Sequence, residues 1–143
     1  MIVYVDADGC PVVDITLQLC EKHHISCVLV CDTAHTFTRR DAAVITVDKG
    51  SDSADFAIAN RLVPGDIVIT QDYGLASMCL SRNATVLHQD GWEYTTDNID
   101  ALLFQRHEAR KLRNSGGRMK GPRKRSNSQN QAFSAALEKR LKG

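Results

Sequence analysis

The chain has 143 residues and a formal net charge of +1, with 43% hydrophobic and 24% charged residues. This size and balance are typical of a globular protein and exclude a chain that is disordered throughout. No apolar run approaches the roughly 20 residues of a membrane span, and the N-terminal sequence MIVYVDADGC lacks the basic region that opens a signal peptide. We therefore expect a cytoplasmic protein with no membrane partner.

The first part of the chain alternates short apolar runs with a helix-like stretch. Residues 2–5 predict a buried strand, and Pro11 suits the first turn of a helix over residues 12–23. Residues 25–31 (ISCVLVC) are apolar without alternation, which is typical of a strand buried on both faces of a parallel sheet. Residues 43–47 predict a third strand.

The same alternation continues beyond residue 50. Helices are predicted over residues 52–63 and 73–82. Their inner faces are expected to hold Phe56, Ala59 and Val63 in the first and Leu75, Met78 and Cys79 in the second. Further strands are predicted over 67–70 and 85–87, and further helices over 96–113 and 132–141.

This order of elements predicts an α/β fold. We expect a three-layer α/β/α sandwich with a mostly parallel sheet over residues 1–113, followed by a basic C-terminal extension over residues 114–143. In open sheets of this kind, ligands bind outside the carboxyl ends of the strands. Polar side chains that directly follow a strand are therefore the candidate functional residues.

The cysteines and histidines predict neither disulfides nor a zinc site. The cysteines are odd in number, lie in apolar surroundings and form no C-x-x-C pair: Cys10, Cys20, Cys27, Cys31 and Cys79. This pattern favours reduced, buried thiols. The five histidines lack metal-binding spacing.

The near-zero net charge hides a split between the two ends of the chain. Residues 1–104 contain 6 Lys/Arg and 15 Asp/Glu, a net charge of −9, whereas residues 105–143 contain 12 Lys/Arg and 2 Asp/Glu, a net charge of +10. One interpretation is a solvated basic tail that adds solubility. The other is an acidic cation site combined with a basic arm that holds a polyanion, as nucleic-acid enzymes require.

Carboxylates follow three of the predicted strands. Asp6 and Asp8 follow the first, Asp52 and Asp55 open the helix after the third, and Asp72 comes shortly after the fourth. Singly, such residues are often helix caps or turn residues, and we assign Asp32, Asp48 and Asp66 to that role. Together at one sheet edge they would repel, and a bound divalent cation would remove that cost. Oxygen ligands favour Mg²⁺ or Mn²⁺.

Other residues near this edge have two interpretations each. Thr70 either contacts a carboxylate or phosphate, or bonds the backbone at the strand end. Trp92 and Tyr94 either stack on a base or pack over the sheet edge, and packing is the favoured interpretation. Cys10 is expected to be a packed thiol rather than a nucleophile, because no histidine is placed by sequence to activate it.

Four segments together resemble a known family. They are VDADGCPV at residues 5–12, DKGSDSAD at 48–55, GDIVITQDYGLA at 65–76 and the glycine-rich stretch within 113–122. In this order and spacing they resemble the YaiI/YqxD family of bacterial proteins, which in turn looks like a member of the PIN-like nuclease superfamily.

The resemblance implies a fold, an activity and a set of site residues. PIN-like domains are α/β/α sandwiches whose acidic residues bind Mg²⁺ or Mn²⁺ and cleave RNA. The implied metal ligands are Asp6, Asp52, Asp55 and Asp72, with Asp6, Asp8 and Asp72 as catalytic residues. Many PIN domains have a further acid after the fifth strand, where this chain offers only Asp90, and Asp8 is the alternative. PIN-like proteins are often dimers, so a homodimer is an implied state.

The function hypotheses belong to different classes. The first is a Mg²⁺- or Mn²⁺-dependent ribonuclease. The second is a nucleic-acid-binding or regulatory module without turnover, and a third is a phosphatase acting on a small metabolite.

Within the basic tail, residues 115–125 (SGGRMKGPRKR) are expected to bind nucleic-acid phosphate and to be mobile when free. The cations concerned are Arg118, Lys120, Arg123, Lys124 and Arg125. The competing interpretation is that the acidic body holds this tail as an internal counterion.

Overall fold

The computed structural model describes residues 1–32, 42–48, 53–114 and 124–143, with the backbone alone at 53, 106, 113 and 114. The strands are β1 (Ile2–Asp6), β2 (Ser26–Asp32), β3 (Ala43–Val47), β4 (Ile67–Ile69), β5 (Thr85–Leu87) and β6 (Glu93–Tyr94). The helices are α1 (Val13–Lys22), α2 (Ser53–Ala59), α3 (Tyr73–Leu80), α4 (Thr96–Asn114) and α5 (Asn127–Leu141). The five predicted strands are thus confirmed, and the two-residue strand β6 is added to them.

The strands form one sheet in the order β3-β2-β1-β4-β5-β6. All neighbours pair in parallel except β5 and β6, which are antiparallel. The chain builds outward from β1 to β3 and then returns to place β4 on the other side of β1. This reversal between β1 and β4 is the point at which open α/β sheets form ligand crevices, beyond the carboxyl ends of the strands.

Helices cover both faces of this sheet. On one face, α1 and α5 pack on the β1 side chains Val3 and Val5. On the other face, α2, α3 and α4 pack on Tyr4 and Val68. Central strands buried on both sides explain why their sequences are apolar without alternation. The predicted three-layer α/β/α sandwich with a mostly parallel sheet is confirmed.

The predicted inner face of α2 is wrong for two of its three residues. Phe56 and Val63 are 54% and 57% exposed, whereas Ala59 is buried as predicted, together with Ile58 and Leu62. Two apolar stripes compete on this short segment, and the helix ends at Ala59, before Val63 could continue the predicted one. In α3, similarly, Leu75 and Cys79 are buried as predicted, but Ala76 takes the inward place expected for Met78.

The C-terminal helix belongs to the core. Phe133, Leu137 and Leu141, spaced one helical turn apart, are buried in the same cluster as β1 and α1. The boundary predicted near residue 113 therefore does not separate a complete domain from an appended extension. Helix α5 also begins five residues earlier than predicted, because Ser126 and Gln129 form a capping box.

All five cysteines are free thiols, and Cys20, Cys27, Cys31 and Cys79 are buried, as the sequence predicted. Within the described ranges, no helix combines the length and apolar character needed to cross a bilayer.

Asp66 is a buried turn residue whose two carboxylate oxygens are both used by the fold. Oδ1 accepts a hydrogen bond from the Ile2 N–H and Oδ2 from the Val63 N–H, each at 3.0 Å. Asp66→Asn replaces one acceptor with a donor, so we expect the free energy of unfolding to fall by about 1–2 kcal/mol. Urea denaturation measures this, with the exposed Asp100→Asn as control; equal stability of the two variants would contradict the assigned role.

Candidate active site

A hydrogen-bonded chain joins the ends of β1 and β4. Asp6 is the last residue of β1, and its Oδ2 accepts a hydrogen bond of 3.0 Å from the Thr70 hydroxyl. The Thr70 oxygen in turn accepts a 2.9 Å bond from the Asp72 N–H. Because that N–H donates to the hydroxyl oxygen, the hydroxyl proton is committed to Asp6. The buried Thr70 therefore both contacts a carboxylate and bonds the backbone at the strand end, so the two interpretations that the sequence left open are both fulfilled.

Asp72 caps the N-terminus of α3 and also lies at this edge of the sheet. Its Oδ1 accepts hydrogen bonds from the Gly74 N–H at 2.8 Å and the Leu75 N–H at 3.4 Å, so Asp72 is the N-cap of the helix. The cap fixes this carboxyl group beside the end of β4. Asp6 and Asp72 thus approach the same edge from neighbouring strands, as the parallel sheet predicted.

The carboxylates at this edge are electrostatically crowded. Burial raises the pKa of Asp6 to about 6, the negative charges of Asp72 and Asp8 add to the rise, and the Thr70 hydrogen bond opposes it. Asp8 is oriented by the Asp32 N–H, which donates to its Oδ2 at 2.9 Å. Two of the predicted site residues, Asp72 and Asp8, therefore act electrostatically on a third, Asp6.

Asp55 lies within electrostatic reach of the same region. Burial raises the pKa of the Cys79 thiol to about 12, and the charges of Asp55 and then Asp6 add to that rise. Asp52, the fourth predicted ligand, lies outside the described residues. Among the residues that the structure does describe, no three His, Cys, Asp or Glu side chains are grouped closely enough to hold a metal ion.

Asp90 forms an ion pair with Arg125. Its Oδ1 forms a 2.7 Å ion pair with Arg125 Nη1. The same guanidinium donates to the Gln89 carbonyl oxygen and to Asn130 Oδ1, each at 2.6 Å. The position after β5 therefore holds an arginine clasp around Asp90.

The clasp also bears on the predicted basic tail. Arg125 is fixed by three contacts, so the expected mobility does not apply to it, and the counterion interpretation describes this residue. Lys124 is exposed. The other tail cations, Arg118, Lys120 and Arg123, lie outside the described residues.

Three aromatic side chains pack together beside Thr70. Tyr94 is buried, and its hydroxyl donates to the Thr70 carbonyl oxygen at 3.3 Å. Trp92 stacks on His88 at 4.4 Å between ring centroids and presents its ring to Tyr94 at 4.5 Å and 60°. Packing, the favoured interpretation for Tyr94, is confirmed. Sequence reasoning missed the part played by His88, because no local spacing links it to Trp92.

Comparison with known proteins decides the family. A family model described as "Uncharacterized BCR, YaiI/YqxD family" matches residues 4–143. The chain belongs to the YaiI/YqxD family. The resemblance of the four segments to the YaiI/YqxD family is thereby confirmed over almost the whole length.

Curated relatives in the YaiI/YqxD family match end to end. A "UPF0178 protein" of Exiguobacterium sibiricum is 48% identical over 141 residues, covering 99% of this chain and 96% of the relative. Proteins of the same name from Ruminiclostridium cellulolyticum and Enterococcus faecalis are 47% and 39% identical, each over 96% of this chain and over 90% and 95% of their own lengths. No solved structure matches the chain significantly.

The Thr70 bridge makes a testable contribution to stability. Thr70→Val keeps the volume but leaves the Asp72 N–H and Asp6 Oδ2 without their shared partner, so we expect the free energy of unfolding to fall by about 1 kcal/mol. Thr70→Ser keeps the hydroxyl and is the matched control. Equal urea midpoints for the two variants would show that the hydroxyl bridge is not formed.

Proposed function

We propose that this YaiI/YqxD family protein hydrolyses phosphodiester bonds of nucleic acid, RNA in the first instance, with Mg²⁺ or Mn²⁺ at the edge formed by Asp6, Thr70 and Asp72. The observation that supports this most strongly is the Asp6–Thr70–Asp72 link at the reversal of strand order. It joins the Asp6 carboxyl group to the backbone of Asp72, whose own carboxyl group is fixed by the cap of α3, at the position where α/β sheets bind ligands.

The donor set fits a hard divalent cation. Asp6 and Asp72 offer carboxylate oxygens, Asp55 lies within electrostatic reach, and Asp52 precedes α2 in sequence. Oxygen donors suit Mg²⁺ or Mn²⁺ better than zinc. Burial is the main cause of the raised pKa of Asp6, and the charges of Asp72 and Asp8 add to it; a cation bound there would offset both effects.

Each residue has a distinct task in this proposal. Asp6 and Asp72 would hold the cation, and Thr70 binds both the Asp6 carboxyl group and the Asp72 N–H. Asp8, oriented by the Asp32 N–H, assists at the attacking water. A bound Mg²⁺ or Mn²⁺ would supply Lewis acidity, lowering the pKa of water and neutralising charge on the phosphate.

The choice of a nucleic-acid substrate rests on two further features. The motifs of the chain resemble those of PIN-like nucleases. The tail cations other than the clasped Arg125 are the proposed phosphate contacts: Arg118, Lys120, Arg123 and Lys124. Such contacts hold the backbone without reading its sequence.

The test is a cleavage assay with the full chain. End-labelled RNA and DNA of mixed sequence are incubated with Mn²⁺ or with EDTA, using wild type, Asp6→Asn, Asp72→Asn and Asp100→Asn. Asparagine caps helices as well as aspartate does, so Asp72→Asn removes the charge and keeps the start of α3. We expect Mn²⁺-dependent cleavage that falls about 100-fold or more in the first two variants and is unchanged in Asp100→Asn.

One observation favours the second candidate, a binding module without turnover. The described residues contain no three-ligand group, so the charge at this edge could serve the fold alone. In the same assay, binding of RNA or DNA by wild type with no cleavage in Mn²⁺ would identify this function and reject the nuclease.

A further inference from the structure

Helix α4 continues well past the part of it that packs on the body. It has 19 residues and is about 28 Å long at 1.5 Å per residue. Its packed side chains are Ile99, Leu102 and Leu103, all near its beginning. Farther along, His107 and Arg110 are exposed although they lie on or near the side of the helix that holds Ile99. The second half of α4 therefore extends past the body.

The side of α4 that packs on the body changes from apolar to basic along the helix. At about 100° per residue, positions 102, 103, 106, 110 and 113 all lie within about 60° of Ile99. The first two are leucines, and the last three are arginines. One stripe of the helix is thus apolar where it packs and carries arginine at every turn where it projects.

Arg110 is the member of this stripe whose side chain the structure describes. It is exposed and forms no ion pair with the other described residues. The Glu108–Lys111 pair, at 3.9 Å, involves a different side of the helix. Arginines spaced three and four residues apart on one helix destabilise it by repulsion. The arrangement therefore costs stability in the free protein.

The helix dipole does not explain the stripe. Cations are favoured in the last turn of a helix, which accounts for Lys111 and Arg113. That effect fades within one turn and does not reach position 106, and it does not depend on which side of the helix a cation occupies. A linear polyanion explains both the length of the stripe and its restriction to one side.

We propose that the projecting half of α4 is a docking surface for the phosphate backbone of nucleic acid, formed by Arg106, Arg110 and Arg113. Three cations over about two turns of helix match a backbone that presents one charge per nucleotide. The biological role of this surface, binding of the nuclease substrate, rests on the proposed function. Binding itself requires no catalysis.

Two neighbouring residues provide a matched test. Arg110 and Lys111 are both exposed and each has one positive charge, but Lys111 lies about 120° away from the centre of the stripe. Full-length Arg110→Gln and Lys111→Gln are compared by fluorescence anisotropy with a labelled 20-nucleotide single-stranded RNA. EDTA and an Asp6→Asn background prevent cleavage, and circular dichroism verifies that the helix content is unchanged.

We expect Arg110→Gln to weaken binding roughly three- to tenfold and to reduce the log–log salt slope by about 0.7, whereas Lys111→Gln changes both much less. The triple variant Arg106→Gln/Arg110→Gln/Arg113→Gln should reduce the slope by about 2. Equal effects of Arg110→Gln and Lys111→Gln, or no binding of this RNA by the parent protein, would overturn the proposal. Binding with this pattern but no cleavage in Mn²⁺ by the protein with native Asp6 would support the surface and reject the nuclease.

Discussion

Phe133→Ala is expected to lower the free energy of unfolding by about 3–5 kcal/mol, which is enough to unfold a substantial fraction of a marginally stable domain. Phe133 is fully buried among side chains of β1 and α1. Its removal leaves a cavity in the core that the sheet and α1 cannot readily fill. The loss would be measured by urea denaturation followed by circular dichroism.

Phe104→Ala is the matched control for this experiment. Phe104 has the same side chain on a helix but is 63% exposed, so its removal should change stability by less than about 0.5 kcal/mol. Similar midpoints for the two variants would mean that α5 is an appended helix after all. By the same reasoning, deletion of residues 115–143 should destroy the fold rather than leave a stable domain.

Asp6→Asn is expected to stabilise the metal-free protein above pH 6 by about 1–3 kcal/mol. Burial and the neighbouring Asp72 and Asp8 raise the pKa of Asp6 in the folded state to about 6, above the ordinary aspartate value of 3.8. The folded state therefore binds this proton more tightly than the unfolded state. Asparagine retains an oxygen acceptor for Thr70 and removes the buried charge.

The contribution of Asp6 to the free energy of unfolding depends on pH. Below about pH 4, Asp6 is protonated in both states and its contribution to stability is fully present. As the pH rises through 6, the folded state must ionise a buried carboxyl group and this stability is lost. In EDTA, the difference between Asp6→Asn and wild type should therefore be small at pH 4 and large at pH 8. Thermal melts at both pH values measure it, and a difference that is independent of pH would contradict the raised pKa.

The sequence predicted the central layers well because burial leaves a direct pattern in it. An apolar run such as residues 25–31 predicts a strand that is buried on both faces. The ends of the predicted strands then give the positions of Asp6 and Asp72. Their juxtaposition follows from strand order, which places β4 beside β1. The position of the candidate site was thus predictable from the alternation of strands and helices.

Features that depend on tertiary contacts were not predictable in the same way. Phe56 and Ile58 are both apolar, and only the packing of the short α2 decides which is buried. Composition marked Arg125 as part of a basic tail, but its ion pair with Asp90 spans 35 residues of sequence. The capping box at Ser126 was a local signal for the earlier start of α5. Asp72 caps α3 and is also a candidate metal ligand, so these two interpretations of the residue are compatible.

Isothermal titration of Mn²⁺ into the full-length protein tests the central claim, that the carboxylates at the ends of β1 and β4 share a divalent cation. We expect saturable binding by wild type and by Asp100→Asn, and a loss of affinity of about tenfold or more in Asp6→Asn and in Asp72→Asn. No binding by wild type, or undiminished binding by Asp6→Asn and Asp72→Asn, would contradict the metal site and the nuclease proposal with it.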